Sequence, residues 1–139
     1  MAATDYMKAF TDAMDQRGYN YDAEVRGDGN GHVTLGFKGD NFASVKYHFI
    51  FDDEGKVTIW GVVCPVPADK LANVILVCNT LNCKYRWFKF YVDDDNDTMI
   101  QGDAIIDLAT GGAECAELLS RAVNITDEVY PDIQRAIWA

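Results

Sequence analysis

The stretch Val45-Lys46-Tyr47-His48-Phe49-Ile50-Phe51-Asp52-Asp53-Glu54-Gly55-Lys56-Val57-Thr58-Ile59-Trp60-Gly61-Val62-Val63 decides the fold. Val45, Tyr47, Phe49 and Phe51 recur at every second position, and so do Val57, Ile59, Gly61 and Val63. Successive side chains of a strand point to opposite faces, so this period predicts two strands that share an apolar face. Between them Asp52-Asp53-Glu54-Gly55 supplies residues that tolerate the positive φ angles of a tight antiparallel turn.

The same alternation holds upstream, at Tyr21, Ala23 and Val25 and again at Val33, Leu35 and Phe37. Short Gly, Asn and Asp connections, Gly27-Asp28-Gly29-Asn30-Gly31 and Gly39-Asp40-Asn41, make four antiparallel strands between Tyr19 and Cys64. Ahead of them Tyr6, Phe10, Ala13, Met14 and Arg17 recur at steps of three and four. That spacing predicts an amphipathic helix over Asp5–Arg17, with Thr4 as N-cap and Gly18 ending it in a left-handed turn. Downstream, Pro65 and Pro67 close the meander, and a second helix is expected over Ala68–Asn82. Strands at Tyr85–Val92 and Met99–Leu108 join across Asp93-Asp94-Asp95-Asn96-Asp97. After Thr110-Gly111-Gly112 a helical pattern runs through Cys115, Leu118, Leu119, Ala122 and Val123, then on past Ile125 and Val129 to Ile133 and Ile137. Pro131 lacks an N–H and crowds the preceding turn, which predicts a break or kink there. The expected class is α+β, an antiparallel β-sheet with helices in the order α-ββββ-α-ββ-α(α), as one domain over residues 1–139.

A chain of 139 residues, 49% apolar and 24% charged, is long enough to bury a single core. A net charge of −10 and a pI near 4.4 have the wrong sign for nucleic acid or an anionic membrane surface. Leu71–Leu81, the longest apolar-rich stretch, is interrupted by Asn73, Asn79 and Thr80 and falls short of the roughly 20 residues a bilayer span needs. Met1-Ala2-Ala3-Thr4-Asp5-Tyr6 has no basic segment before an apolar run, so no signal peptide is read and a cytoplasmic protein is expected. Cys64, Cys78, Cys83 and Cys115 form no paired ligand spacing and read as reduced thiols.

Three motifs invite a chemistry and fail its requirements. In Asp93–Asp97 the carboxylates suggest calcium, but counting from Asp93 puts Thr98 where the sharp-turn Gly belongs and Ala104 where the bidentate Glu belongs. Gly27, Gly29 and Gly31 are followed by His32-Val33-Thr34-Leu35, a strand, whereas a phosphate loop precedes a helix. His32 and His48 have no Cys, Asp or Glu at a spacing that marks a metal site or catalytic pair. No catalytic residue, cofactor or metal ligand is therefore assigned.

Two features exceed what a monomer's core requires. On the second helix Leu71, Val74, Ile75, Cys78 and Leu81 form one face, while Ala72, Leu76 and Val77 extend the apolar arc well round the other. A surface helix needs apolar residues over only about a third of its circumference, so either this helix is sandwiched inside the domain or, the favoured reading, Leu71, Val74, Leu76, Val77 and Leu81 meet a second copy of the chain. On the strands, Trp60 stands opposite Ile59, Trp87 and Tyr91 opposite Phe88 and Phe90, and Lys46 and His48 opposite Tyr47 and Phe49. One sheet face thus mixes rings with Lys, the composition enriched at protein interfaces, and His48, Trp60, Trp87, Lys89 and Tyr91 are its candidate docking residues. The competing reading has the chain's own helices covering that face.

Phe51-Asp52-Asp53-Glu54-Gly55, Val77-Cys78-Asn79-Thr80-Leu81-Asn82 and Trp87-Phe88-Lys89-Phe90-Tyr91, with Gly112–Leu119 and Val129-Tyr130-Pro131, resemble the bacterial YbjN family over most of the chain. The resemblance implies a small α+β domain similar in fold to type III secretion chaperones, often dimeric, without known catalytic residues and described as a sensory transduction regulator. Its Asn79, Leu81 and Asn82 match the family's helix end, where Asn can cap carbonyls or take a left-handed backbone. The functional expectation is a non-enzymatic protein-interaction module acting as a homodimer on a protein partner. Alternatives are a type III secretion-type chaperone for an effector, and a small-ligand binder whose site gathers His48, Trp60 and Trp87.

Overall fold

The computed structural model describes residues 1–139. In chain order the elements are α1 (Ala3–Arg17), β1 (Asp22–Val25), β2 (Gly31–Phe37), β3 (Val45–Phe51), β4 (Lys56–Pro65), a short 3-10 turn (Ala68–Lys70), α2 (Leu71–Lys84), β5 (Lys89–Val92), β6 (Asp97–Ile105) and α3 (Gly111–Trp138). The strands form one six-stranded antiparallel sheet in the order β1-β2-β3-β4-β6-β5. This is the expected α+β class, with α2 carrying the chain across so that the β5–β6 hairpin returns with β6 against β4.

The core lies on one side of the sheet. Val33 and Leu35 of β2, Val45, Tyr47, Phe49 and Phe51 of β3, and Val57 and Ile59 of β4 are all buried. They join Phe10 and Met14 of α1, Val74 and Cys78 of α2, and Leu119, Val129 and Ile133 of α3 in one cluster of 31 residues. Inside it, the Tyr47 hydroxyl donates to Thr126 Oγ1 at 2.9 Å and Thr126 donates to the Ala122 carbonyl at 2.7 Å. The buried phenol therefore has its partner, and burial pushes its pKa up to about 12.

Several local expectations are corrected. Helix α1 begins at Ala3, so Thr4 is inside it, and the entry is closed by Asp5, whose carboxylate accepts the Ala2 N–H at 2.9 Å. Gly18 does end the helix, at φ 72°. Arg17, placed on the core stripe, is exposed. Strand β1 is exposed throughout, because it is the sheet's outer edge with no helix over it. The Lys38–Ser44 connection is a longer loop rather than a tight turn, and it buries Phe42 near Tyr130, with ring centroids 6.1 Å apart. Strand β5 starts only at Lys89: Trp87 has φ 76°, a left-handed conformation that ends any strand, so Tyr85–Phe88 approaches β5 as a loop.

Pro131 neither breaks α3 nor splits it in two; Gly111–Trp138 is one helix of 28 residues. A proline at 131 leaves the carbonyl of Asp127, four residues earlier, without its helical donor. Here Asn41 supplies one: its Nδ2 donates to the Asp127 carbonyl at 3.0 Å, and its backbone N–H donates to Asp127 Oδ1 at 2.7 Å. The approach is close enough that a Cβ on Gly39 would stand 2.3 Å from that Oδ1. Replacing Asn41 with Ala removes the substitute donor and is expected to cost about 1–2 kcal/mol of stability. A melting temperature unchanged by Asn41→Ala would show that water satisfies the carbonyl equally well.

Candidate interaction face

The other side of the sheet carries no helix. Helices α1, α2 and α3 all contribute to the single core, and the side chains that point away from it belong to the strands alone. The covered-face reading is therefore overturned. Register builds a row across all six strands: Asp22 opposite Thr34, Thr34 opposite His48, His48 opposite Trp60, Trp60 opposite Gln101, and Gln101 opposite Lys89. A neighbouring row holds Glu24, His32, Ile50, Thr58 and Asp103. Val62 and Tyr91 extend the surface on the other flank, with Met99 buried between them. Lys46 and Lys89 are exposed, Tyr91 is 40% exposed, and the Tyr91 hydroxyl donates to Gln101 Oε1 at 2.7 Å.

Four of the five candidate docking residues, His48, Trp60, Lys89 and Tyr91, come together on this face. Trp87 does not. Its left-handed backbone turns it out of the strand, and its ring meets the guanidinium of Arg121 on α3, 5.3 Å from centroid to cation. There it borders a 580 Å³ groove with Ile105, Leu118 and Arg121. A small-ligand site made of His48, Trp60 and Trp87 is thereby not assembled.

The dimer set divides likewise. Val74 and Leu81 are buried in the chain's own core, so they are not available to a partner, and Leu71 is half-buried. What remains open on α2 is Leu76, 68% exposed, with Ile75 and the half-buried Val77 beside it. Leu76, Val77 and Thr80 line a 540 Å³ groove against Asp132, Arg135 and Ala136 of α3. Asn82, expected to serve its own helix end, instead reaches sideways: its Oδ1 accepts the Phe90 N–H at 2.7 Å and its Nδ2 donates to the Phe90 carbonyl at 2.9 Å. It thus occupies the outer edge of β5 as a strand would, and shields that edge from pairing. Asn79 is exposed.

Sequence spacing missed one constellation. His32 and His48, 16 residues apart, meet across β2 and β3 with Nε2 and Nδ1 2.9 Å apart, and Glu24 Oε1 lies 3.1 Å from His32 Nδ1. The signal for it was present in the strand alternation, which puts all three on the outward parity, but only register brings them into contact. Thr34 Oγ1, 3.2 Å from His32 Nε2, completes the order hydroxyl, imidazole, carboxylate. That order alone does not make a hydrolase: adjacent backbone N–H groups are committed to the sheet ladder, so no oxyanion donors converge on Thr34. Thr34 borders a depression of only 230 Å³, lined largely by polar residues such as Asp22 and Lys46. No group of three or more His, Cys, Asp or Glu side chains is arranged to hold a metal ion. In the Asp93–Asp97 turn, Asp93 Oδ1 accepts the N–H groups of Asp95 and Asp97, both at 3.0 Å, with Asn96 at φ 61°; this carboxylate organises its own hairpin. No helix is long and apolar enough to cross a membrane.

Residues 8–135 match YbjN, "Putative bacterial sensory transduction regulator". No curated protein matches the chain in sequence. In fold the chain is similar to the Yersinia pestis type III secretion chaperone SycH, solved in complex with a stable fragment of YscM2. The TM-score is 0.53 and the identity 15%, over 87% of this chain and 96% of that one.

Proposed function

Because the chain belongs to the YbjN family, we propose that residues 1–139 act as one cytoplasmic, non-enzymatic interaction domain, a homodimer that binds another protein on its bare sheet face. The observation that carries this reading is the helix-free row His48, Trp60, Gln101 and Lys89, flanked by Tyr91, Val62 and Lys46. Rings with an apolar body and a polar tip, set among cations, suit a surface that must be wet when free and dry when bound. Lys46 and Lys89 share the face with Asp22, Glu24 and Asp103, so it is mixed in charge and suits a partner whose charges alternate to match. The family's regulator description is compatible with such a role.

Capture from the native host tests the face. A partner recovered by the wild type and lost with both Trp60→Ala and Lys89→Glu supports the assignment, provided both variants melt like the wild type. The same partner recovered equally by all three would refute it.

The dimer is assigned to α2 on the strength of Ile75, Leu76 and Val77 beside the α3 groove. Light scattering at micromolar concentration is expected to give twice the chain mass. The double variant Leu76→Lys, Val77→Lys should bring it to the monomer mass, through two charges that would have to be desolvated at about 2 kcal/mol or more each. A wild type already monomeric at that concentration removes the dimer.

A chaperone-like role toward a segment of another protein is the second reading. It is favoured by the likeness to SycH, a chaperone solved with a protein fragment bound. Co-purification of one protein that loses solubility without this chain would select it over a purely regulatory partner.

A further inference from the structure

Glu24, His32 and His48 form one hydrogen-bonded chain over three adjacent strands, and the His48 ring stacks on Trp60 with centroids 4.0 Å apart and planes 13° from parallel. The Thr34 hydroxyl stands 3.2 Å from both facing nitrogens. A carboxylate only accepts, which assigns the His32 hydrogen to Nδ1 and leaves Nε2 as an acceptor; His48 Nδ1 then donates to it. One added proton fits this arrangement, because with one ring cationic the other still offers a neutral nitrogen as acceptor. A second does not. With both rings cationic, each facing nitrogen carries a hydrogen, neither ring can accept from the other, only the Thr34 hydroxyl oxygen is left between them as an acceptor, and two protonated nitrogens stand 2.9 Å apart.

The groups around the pair are Glu24 and Asp22 from β1, Lys46 from β3 itself, the uncharged Trp60 from β4, Asp103 of β6 at the far end of the His32 row and Lys56 one row beyond it. Glu24 compensates a charge on His32 but touches only that ring. His48 is held below the ordinary His range by burial among its neighbours, then by His32 and Lys46. An unfolded His48 takes up its proton near pH 6.5, while the folded one resists it. The stability linked to neutral His48 is therefore fully present above about pH 6.5 and is lost as pH falls through the folded value.

We propose that the Glu24–His32–His48 chain is a proton-operated latch on the sheet face, closed while the two rings share at most one added proton and open when both are cationic. Opening swings His48 off Trp60 and replaces a flat, stacked surface with a second positive charge, so partner binding changes over the acid range. That consequence rests on the face being the docking surface. The ring chemistry does not, and can be read on the free protein.

With only two histidines in the chain, their ring resonances can be assigned by His32→Gln and His48→Gln and followed by NMR from pH 8 to pH 4. The latch predicts two steps separated by more than about one pH unit. In His32→Gln, His48 should titrate higher than in the wild type, because one of the neighbours that lower it is gone while burial and Lys46 still hold it below the ordinary range. Trp60 emission, isolated by Trp87→Phe and Trp138→Phe, should change with the second step and not the first. Independent titration of both rings, unaltered in the single variants, overturns the latch. So does loss of the far-UV circular dichroism signal in the same range, since the rings would then part by global unfolding. A working latch with no partner captured would leave the proton chemistry standing and remove only the docking assignment.

Discussion

Phe10→Ala is expected to lower the unfolding free energy by about 3–5 kcal/mol, measured by urea denaturation. Phe10 is fully buried, and its ring stacks on Phe49 at 4.3 Å and lies 5.7 Å from Phe51. It is therefore the point where α1 is fixed to the centre of the sheet. Truncation loses the transfer free energy of the ring and leaves a cavity between rigid aromatic neighbours that cannot collapse to fill it. Domains of this size are stable by roughly 5–15 kcal/mol, so the variant gives up a large share of the total. Phe10→Leu keeps most of the volume and should cost about 1–2 kcal/mol. Equal midpoints for the two variants would mean that α1 detaches from the sheet in both, and that the ring stack is not what holds it.

Gly112→Ala should be the most damaging single-carbon addition, with a loss of about 3 kcal/mol. Inside a helix, replacing Gly with Ala ordinarily gains up to about 1 kcal/mol. Here a Cβ at 112 would stand 2.4 Å from the carbonyl oxygen of Ala9 and 3.1 Å from its carbon. The obstacle is α1 backbone, which cannot turn aside as a side chain can, so α1 and α3 must separate. Gly111 provides the internal control. A Cβ there meets the Ile106 side chain, nearest at its terminal Cδ1, 2.8 Å away, which can rotate. Gly111→Ala should thus cost clearly less than Gly112→Ala. The reverse order in thermal melts would show that helix propensity, rather than the α1–α3 approach, governs this end of α3.

Where sequence reading succeeded, a single periodicity was decisive. The alternation of Tyr47, Phe49 and Phe51 places them all in the core, as the spacing of Phe10, Ala13 and Met14 does on α1. Where it failed, the deciding partner was distant in sequence. Pro131 reads as a break because no local residue replaces its N–H, yet Asn41 does so from 86 positions away along the chain for the same carbonyl. Trp87 reads as a strand residue by its place in Tyr85–Val92, yet its backbone is left-handed and its ring faces Arg121. On α2 the apolar arc was visible, but the half of it that α3 and the sheet would take, Val74 and Leu81, could not be separated from the half left open at Leu76.

The sequence by itself determined the α+β class and, for β2, β3 and β4, the strand positions and the inward side of each, because side-chain direction in a strand follows from local geometry alone. It also determined the parity that puts Glu24, His32, His48, Trp60 and Lys89 on one common face. Only the tertiary structure decided that no helix covers that face, that Trp87 leaves it, and that the two imidazoles touch. Those outcomes depend on which strands are neighbours and in what register. Pairing is chosen by the packing of the whole core, where each strand's free energy depends on partners that its own residues do not specify.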